Sequence, residues 1–153
     1  MNAQWRLDSQ AQGIAEAFRR ALPEQRTRAA LVACETVVPL VGLEGDGDVN
    51  AGLRALREGR PNDAALRERL SALSARFDDE YFRLDEEGNA AKKPEVLRLF
   101  GKARGVSALA FALSDDASRL HEAIYEAISA VVDDPSKVAR VVEAALRASA
   151  PNR

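Results

Sequence analysis

Apolar side chains recur along this chain every three or four positions, which is the period of an amphipathic helix. The longest stripe comprises Leu66, Leu70, Leu73, Phe77, Tyr81 and Leu84. Another stripe runs from Leu7 to Leu22, where Pro23 ends it and opens the next helix. No segment alternates with the two-residue period of a strand, so the pattern predicts an all-α protein.

Turn residues predict where several of these helices begin and end. Pro39 is expected to kink or end the helix that Pro23 opens, because proline removes a backbone donor. Asp48 or Asn50 is expected to cap a short helix, and Gly59 to end it. The resulting helices are joined by short loops.

The segment from Pro94 to Leu113 is apolar nearly all round. One side carries large residues, and another carries a stripe of small ones, namely Gly101, Gly105, Ala108 and Ala112. A glycine inside a helix costs about 1 kcal/mol relative to alanine, so the two glycines predict a neighbouring backbone packed close by. We therefore predict one helical domain over residues 1–153, a bundle of six or seven mostly antiparallel helices around this central alanine- and glycine-rich helix.

Composition narrows the class of protein further. A chain of 153 residues with a net charge of −2 suits one domain and argues against non-specific binding to nucleic acid or to an anionic membrane. Cys34 is the single cysteine, which excludes an internal disulfide and fits a reducing compartment. The first residues lack a secretion signal, and no apolar run is long enough to span a membrane. We expect a soluble, cytoplasmic protein.

The most acidic stretch, RFDDEYFRLDEEGN at residues 76–89, carries six carboxylates. On a helix at 100° per residue these carboxylates fan out around the polar face and do not converge. A metal ion needs ligands aimed at one point, about 2–2.6 Å away. A metal site would therefore need help from a second helix, such as Glu122 and Glu126, although Arg119 one turn earlier would neutralise part of that face.

Phe82 lies well off the apolar stripe of this acidic helix. Its neighbours on the helix surface are acidic, so the ring resembles an interface anchor whose rim of charge would steer a basic partner. We accordingly predict a partner-binding surface formed by Asp78, Asp79, Phe82, Asp85 and Glu86. The alternative interpretation is that another helix covers Phe82 and that the carboxylates form a solvated face.

The sequence offers little for catalysis. His121 is the single histidine, which excludes HExxH zinc sites and the di-iron bundle pattern. No nucleophile motif surrounds Cys34, which lies on an apolar helix face where cysteine usually behaves as a small hydrophobe. We expect no enzyme, no cofactor and no metal.

One charged pair is predicted to be structural. Glu35 falls on an otherwise apolar face, and Arg104 falls on the predicted central helix. A lone buried charge is costly, so each needs a partner. We predict that Glu35 and Arg104 meet in the core as an ion pair that sets the helix register.

Three segments together resemble a known family. RTRAALVACETVVPLVGL, GLRALREGRPNDAALRERL and FGKARGVSALAFALSDDASRLHEAIYEA are similar to the small all-helical immunity proteins of bacterial polymorphic toxin systems. The resemblance spans roughly residues 26–130, and Glu35 and Pro39 match best. It implies a protein that binds a toxin and blocks it with no reaction of its own.

Three functions therefore remain open on sequence grounds. The first is a binding module that neutralises a protein partner, such as a basic toxin domain. The second is a structural or regulatory helical protein that acts as a homo-oligomer through the small-residue helix or the Phe82 face. The third is a carboxylate-dependent enzyme.

Overall fold

The computed structural model describes residues 4–59, 63–86 and 93–148, with the backbone alone at residue 93. These residues form eight α-helices and a short 3-10 turn, and contain no strand. The α-helices are α1 Arg6–Gln10, α2 Gln12–Arg20, α3 Pro23–Leu40, α4 Gly47–Arg57, α5 Ala64–Glu86, α6 Lys93–Ala112, α7 Leu120–Ala130 and α8 Ser136–Arg147, and the 3-10 turn is Ala117–Arg119. The prediction of an all-α protein is confirmed.

The helix count exceeds the predicted six or seven because the first apolar stripe is shared by two helices. The backbone leaves the helical conformation at Ala11, between α1 and α2. The Asp8 carboxylate of α1 accepts a hydrogen bond from the Trp5 backbone N–H at 2.7 Å and two from the Arg19 guanidinium of α2, at 2.6 and 2.7 Å. These bonds hold the bend, which a single uninterrupted helix could not accommodate.

Helix ends follow local chemistry, with one correction. Pro23 opens α3 and Pro39 lies in its last turn, as predicted. The cap of α4 is Asp46, whose Oδ1 accepts a hydrogen bond from the Val49 N–H at 3.0 Å, so the prediction of Asp48 or Asn50 was wrong by at least two residues. Gly59 follows α4 with a φ of +68°, a left-handed conformation that glycine adopts without strain.

Helix α6 packs against α3, α4, α5 and α7. Its two glycines make close approaches possible: a Cβ on Gly101 would lie 2.9 Å from the Ala130 backbone oxygen, and one on Gly105 would lie 3.1 Å from a Leu43 methyl. The predicted close backbone is therefore present at Gly101, whereas side chains of the α3 end and the following turn crowd Gly105.

One hydrophobic core receives side chains from all eight helices. Its largest fully buried members include Leu7, Leu70, Leu109, Leu113 and Ile124. Each such side chain contributes about 1.5–3 kcal/mol by leaving water, so burial of these stripes is the main force that holds the helices together. Among the described helices, none has both the length and the apolar composition needed to cross a membrane.

Candidate functional site

Phe82 projects from α5 into solvent. Its side chain is 58% exposed, the highest value among the large exposed hydrophobic residues of the described chain. Its ring contact is an edge-to-face one with Tyr81, at 5.3 Å between centroids, and Tyr81 in turn lies against Phe100 on α6. The interpretation that another helix covers Phe82 is wrong for the described residues.

Three of the predicted carboxylates surround Phe82 without internal partners. Asp79, Asp85 and Glu86 are exposed, and none of them makes an ion pair within residues 4–59, 63–86 and 93–148. We call Asp79, Phe82, Asp85 and Glu86 the acidic aromatic face. A water-exposed carboxylate keeps its charge available for a partner, and an exposed ring keeps its apolar surface available.

Asp78 differs from the other predicted carboxylates. Its Oδ2 accepts a hydrogen bond from Arg104 Nη2 at 2.9 Å, and its side chain is 31% exposed. The α5 helix thus turns Asp78 towards α6, because it follows the apolar residue Phe77 and lies at the edge of the stripe. Asp78 is engaged inside the chain, which sets it apart from the acidic aromatic face.

The predicted pair between Glu35 and Arg104 does not form. Glu35, on α3, pairs with Arg57 of α4 at 3.0 Å between Oε2 and Nη2, and both side chains are partly exposed. Arg104 pairs with Asp78 and, through Nη1 at 3.1 Å, with Glu126 of α7. The prediction that Glu35 lies in the core is also wrong, because its side chain is 36% exposed and pairs with a more exposed arginine. Arg104 is the more buried of the two residues, with 23% of its side chain exposed, but its partners come from α5 and α7 and not from α3.

A chain of alternating charges links four helices. Arg6 of α1 donates to Glu122 and, at 3.2 Å, to Glu126; Arg104 of α6 donates to Glu126 and to Asp78 of α5. We call these five residues the Glu126 network. The Glu126 side chain is 3% exposed, so its carboxylate is stabilised by two guanidinium groups and not by water.

Sequence reasoning missed Arg6 as the partner of these glutamates. Arg6 lies 116 and 120 positions from Glu122 and Glu126, and no sequence signal links positions so far apart. Arg119, the residue predicted to neutralise them, instead places its guanidinium 5.5 Å from the centre of the Phe111 ring. The two glutamates therefore serve as ion-pair partners for arginines.

Aromatic and basic groups enclose His121. Its ring stacks on Trp5 at 4.0 Å, and a carboxylate oxygen of Glu122 lies 3.4 Å from Nε2. Burial, the largest cause, lowers the pKa of His121 below its usual 6.5, and the positive charge of Arg19 acts in the same direction. His121 Nδ1 is buried and makes no hydrogen bond within the described residues.

Cys34 is buried on the apolar face of α3, as predicted. Burial raises the pKa of its thiol to about 12, so the thiolate needed for nucleophilic or metal chemistry is scarce at neutral pH. In the parts of the chain that the structure describes, no three His, Cys, Asp or Glu side chains are grouped so that they could hold a metal ion.

The arrangement thus has two acidic regions with different surroundings. The Glu126 network is internally paired, whereas the acidic aromatic face is open to solvent. Comparison of the chain with family models, with curated proteins and with solved structures gave no match.

Proposed function

We propose that this protein is a non-catalytic binding module that neutralises a protein partner held against the acidic aromatic face. The observation that supports this most directly is the 58% exposure of Phe82 among three carboxylates that have no ion-pair partner in the described residues. Aromatic anchors dominate interface energetics, and unpaired rim charges accelerate encounter with an oppositely charged surface. Within the described residues, the Phe82 ring is not covered by another helix and the three carboxylates form no ion pair.

The chemistry of the face specifies the partner. A complementary surface has an apolar pocket for the Phe82 ring and lysine or arginine side chains opposite Asp79, Asp85 and Glu86. The resemblance to immunity proteins makes a bacterial toxin domain the proposed partner. If the toxin acts on nucleic acid, these carboxylates would occupy the positions of the phosphates.

The test begins with capture of partners by the tagged chain from lysate of the source organism, elution in salt steps and mass spectrometry. The affinity of the purified partner is then measured by calorimetry. Phe82→Ala is expected to weaken binding about 30-fold, the size of a hot-spot loss, and charge reversal with Asp79→Lys and Glu86→Lys to weaken it further.

Matched controls separate this face from the general surface. Leu22→Ala removes a hydrophobic side chain of similar exposure, 54%, at the start of α3. Glu68→Lys reverses an exposed charge near the opposite end of α5. Wild-type affinity in the Phe82 and Asp79/Glu86 variants would contradict the proposal, as would equal losses in the controls.

A different region favours the alternative, a structural or regulatory homo-oligomer. Three further exposed hydrophobic residues, Leu40, Leu97 and Val132, line one groove of about 430 Å³ where the ends of α3 and α7 meet the start of α6. Arg98 and Asp133 also line it, and neither has an ion-pair partner in the described residues. Opposite charges on one apolar patch can pair reciprocally across a two-fold axis with a second copy.

Sedimentation velocity over a range of protein concentrations tests this alternative. A dimer that dissociates on Leu97→Asp and on Arg98→Glu, and that is partly restored by combining Arg98→Glu with Asp133→Arg, would support it. A monomer at all concentrations would exclude it. Phe82→Ala is the control, because the acidic aromatic face takes no part in this contact.

A further inference from the structure

A second groove runs between α5 and α6, from Asp78, which precedes Asp79 of the acidic aromatic face, to Arg67 near the start of α5. Small side chains face each other along it: Ser71, Ser74 and Ala75 on α5, and Ser107 and Ala110 on α6. Side chains this short do not fill the space between two packed helices, and the result is an open groove of about 580 Å³. That volume is within the range of small-molecule sites.

Three arginines from three segments line this groove: Arg67 of α5, Arg104 of α6 and Arg119 of the 3-10 turn. Arg104 is neutralised by Asp78 and Glu126. The other two lie towards the end of α6, and their charges are less compensated. One carboxylate, Asp78, also lines the groove. Near the other end of the groove, hydrogen bonds from Ser118 and the charge of Arg119 lower the pKa of Asp116.

Arg67 has a weak carboxylate partner. Its Nη1 lies 3.7 Å from Asp115, whose side chain is 71% exposed, and donates a 3.3 Å hydrogen bond to the Leu113 carbonyl. An exposed pair at that distance contributes little, since water screens it. Most of the charge of Arg67 therefore remains effective in the groove.

Arg119 makes no ion pair with any carboxylate of the described residues, and its guanidinium lies 5.5 Å from the centre of the Phe111 ring. The hydroxyls of Ser71 and Ser107 also make no hydrogen bond within those residues, whereas the Ser74 hydroxyl donates to the Ala103 carbonyl at 2.9 Å. The groove thus offers two cations, free hydroxyl donors and a flat apolar ring.

We propose that this groove binds a small phosphate-bearing molecule, with the phosphate between Arg67 and Arg119 and a planar apolar group against Phe111. Guanidinium groups suit phosphate because their planar N–H donors match its oxygens in pairs. Arg67 and Phe82 are 15 positions apart on one helix, about 22 Å along its axis, so the site is separate from the acidic aromatic face. It does not rest on the proposed function.

Calorimetric titration of the full chain with inorganic phosphate and with phenyl phosphate, at low and constant ionic strength, tests the site. Phenyl phosphate is expected to bind saturably with one molecule per chain, and more tightly than inorganic phosphate. Arg119→Ala is expected to weaken both ligands about tenfold or more. Phe111→Leu is expected to reduce phenyl phosphate to the affinity of inorganic phosphate.

Arg140→Ala is the matched control, because Arg140 is an exposed arginine on α8 outside the groove. Arg67→Ala also removes a hydrogen bond to the end of α6, so Arg119→Ala, which removes no hydrogen bond or ion pair of the described residues, is the deciding variant. Absence of saturable binding at millimolar ligand, or equal losses in Arg140→Ala and Arg119→Ala, would overturn the proposal. Equal affinity for the two ligands would overturn the placement on Phe111 and leave free phosphate as the ligand.

Discussion

Helices α5 and α7 both carry carboxylates beside an aromatic ring, yet the two regions differ in what surrounds them. On α7, Glu122 and Glu126 receive arginines, and the Arg6 guanidinium also covers the Tyr125 ring at 4.2 Å. On α5, the carboxylates of the acidic aromatic face form no ion pair with any described residue. An acidic aromatic pattern therefore stabilises the fold where an arginine reaches it and stays exposed to solvent where none does.

The same difference separates Trp5 from Phe82. Trp5 lies between the His121 ring and the Arg19 guanidinium, each 4.0 Å away, and its edge meets Phe18 at 5.7 Å. Phe82 has contact with the neighbouring Tyr81 ring and is otherwise open. Trp5 is thus partly buried against the hydrophobic core, whereas Phe82 lies on the protein surface.

The largest loss of stability is expected from removal of the buried carboxylate of Glu126. Glu126→Ala removes a carboxylate that is 3% exposed and leaves the largely buried Arg104 with Asp78 alone and the half-exposed Arg6 with Glu122 alone. Loss of a buried ion-pair partner is expected to lower the free energy of unfolding by about 3 kcal/mol. Urea unfolding, followed by Trp5 fluorescence, measures the change. Glu86→Ala, which removes an exposed carboxylate, is the control. If Glu126→Ala and Glu86→Ala both changed the free energy of unfolding only slightly, the Glu126 network would be solvated and not buried.

Truncation of Trp5 is expected to destabilise the protein more than truncation of Phe82. Trp5→Ala removes a stacked, an edge-to-face and a cation–π contact, and is expected to lower the free energy of unfolding by about 2 kcal/mol. Thermal unfolding followed by circular dichroism gives the comparison, since the variant lacks tryptophan. An unchanged midpoint would mean that Trp5 is not packed as described.

The free energy of unfolding is expected to depend on pH through His121 of α7. The folded pKa of His121 lies below its usual 6.5, chiefly because of burial, so the unfolded chain binds the proton more readily. The contribution of neutral His121 to the free energy of unfolding is therefore complete above about pH 6.5. It is lost as the pH falls from there towards the pKa of His121 in the folded protein. Chemical unfolding of wild type and His121→Phe at a series of pH values measures it. The variant keeps the stack on Trp5 and is expected to lack this part of the slope; an identical slope would contradict the assignment.

The smallest effects are expected on the acidic aromatic face. Phe82→Ala and Asp79→Lys remove no buried contact and no ion pair of the described residues, so each is expected to change the free energy of unfolding by less than about 0.5 kcal/mol. Urea unfolding measures both. A loss as large as that of Trp5→Ala would mean that the face is a structural element and not a free surface.

Much of the fold was accessible from the sequence because helix formation is local. The stripe from Leu66 to Phe77, the start of α3 at Pro23 and the end of α4 at Gly59 were all predicted from neighbouring positions and are present. The division between α1 and α2 was not predicted, since it depends on the meeting of Asp8 with Arg19 after the chain bends.

The candidate site was predictable to the same extent. The angular position of Phe82 relative to its own helix placed the ring off the apolar stripe, but its exposure and the engagement of Asp78 by Arg104 both depend on which helices lie alongside. The predicted pair of Glu35 and Arg104 is wrong for the same reason. A buried charge needs a partner, but four helices contact α6 and several contact α3, and the sequence does not show which of them supplies it.

The sequence by itself determined the helices, their apolar faces and the position of Phe82 off the apolar stripe of α5, because periodicity, caps and helix-breaking residues act within a few positions. Only the tertiary structure decided which charges are neutralised. A helical wheel gives the direction of a side chain from its own axis but not the helix that lies there. Arg6 therefore meets glutamates 116 and 120 positions away, while Asp79, Asp85 and Glu86 around Phe82 form no ion pair within the described residues.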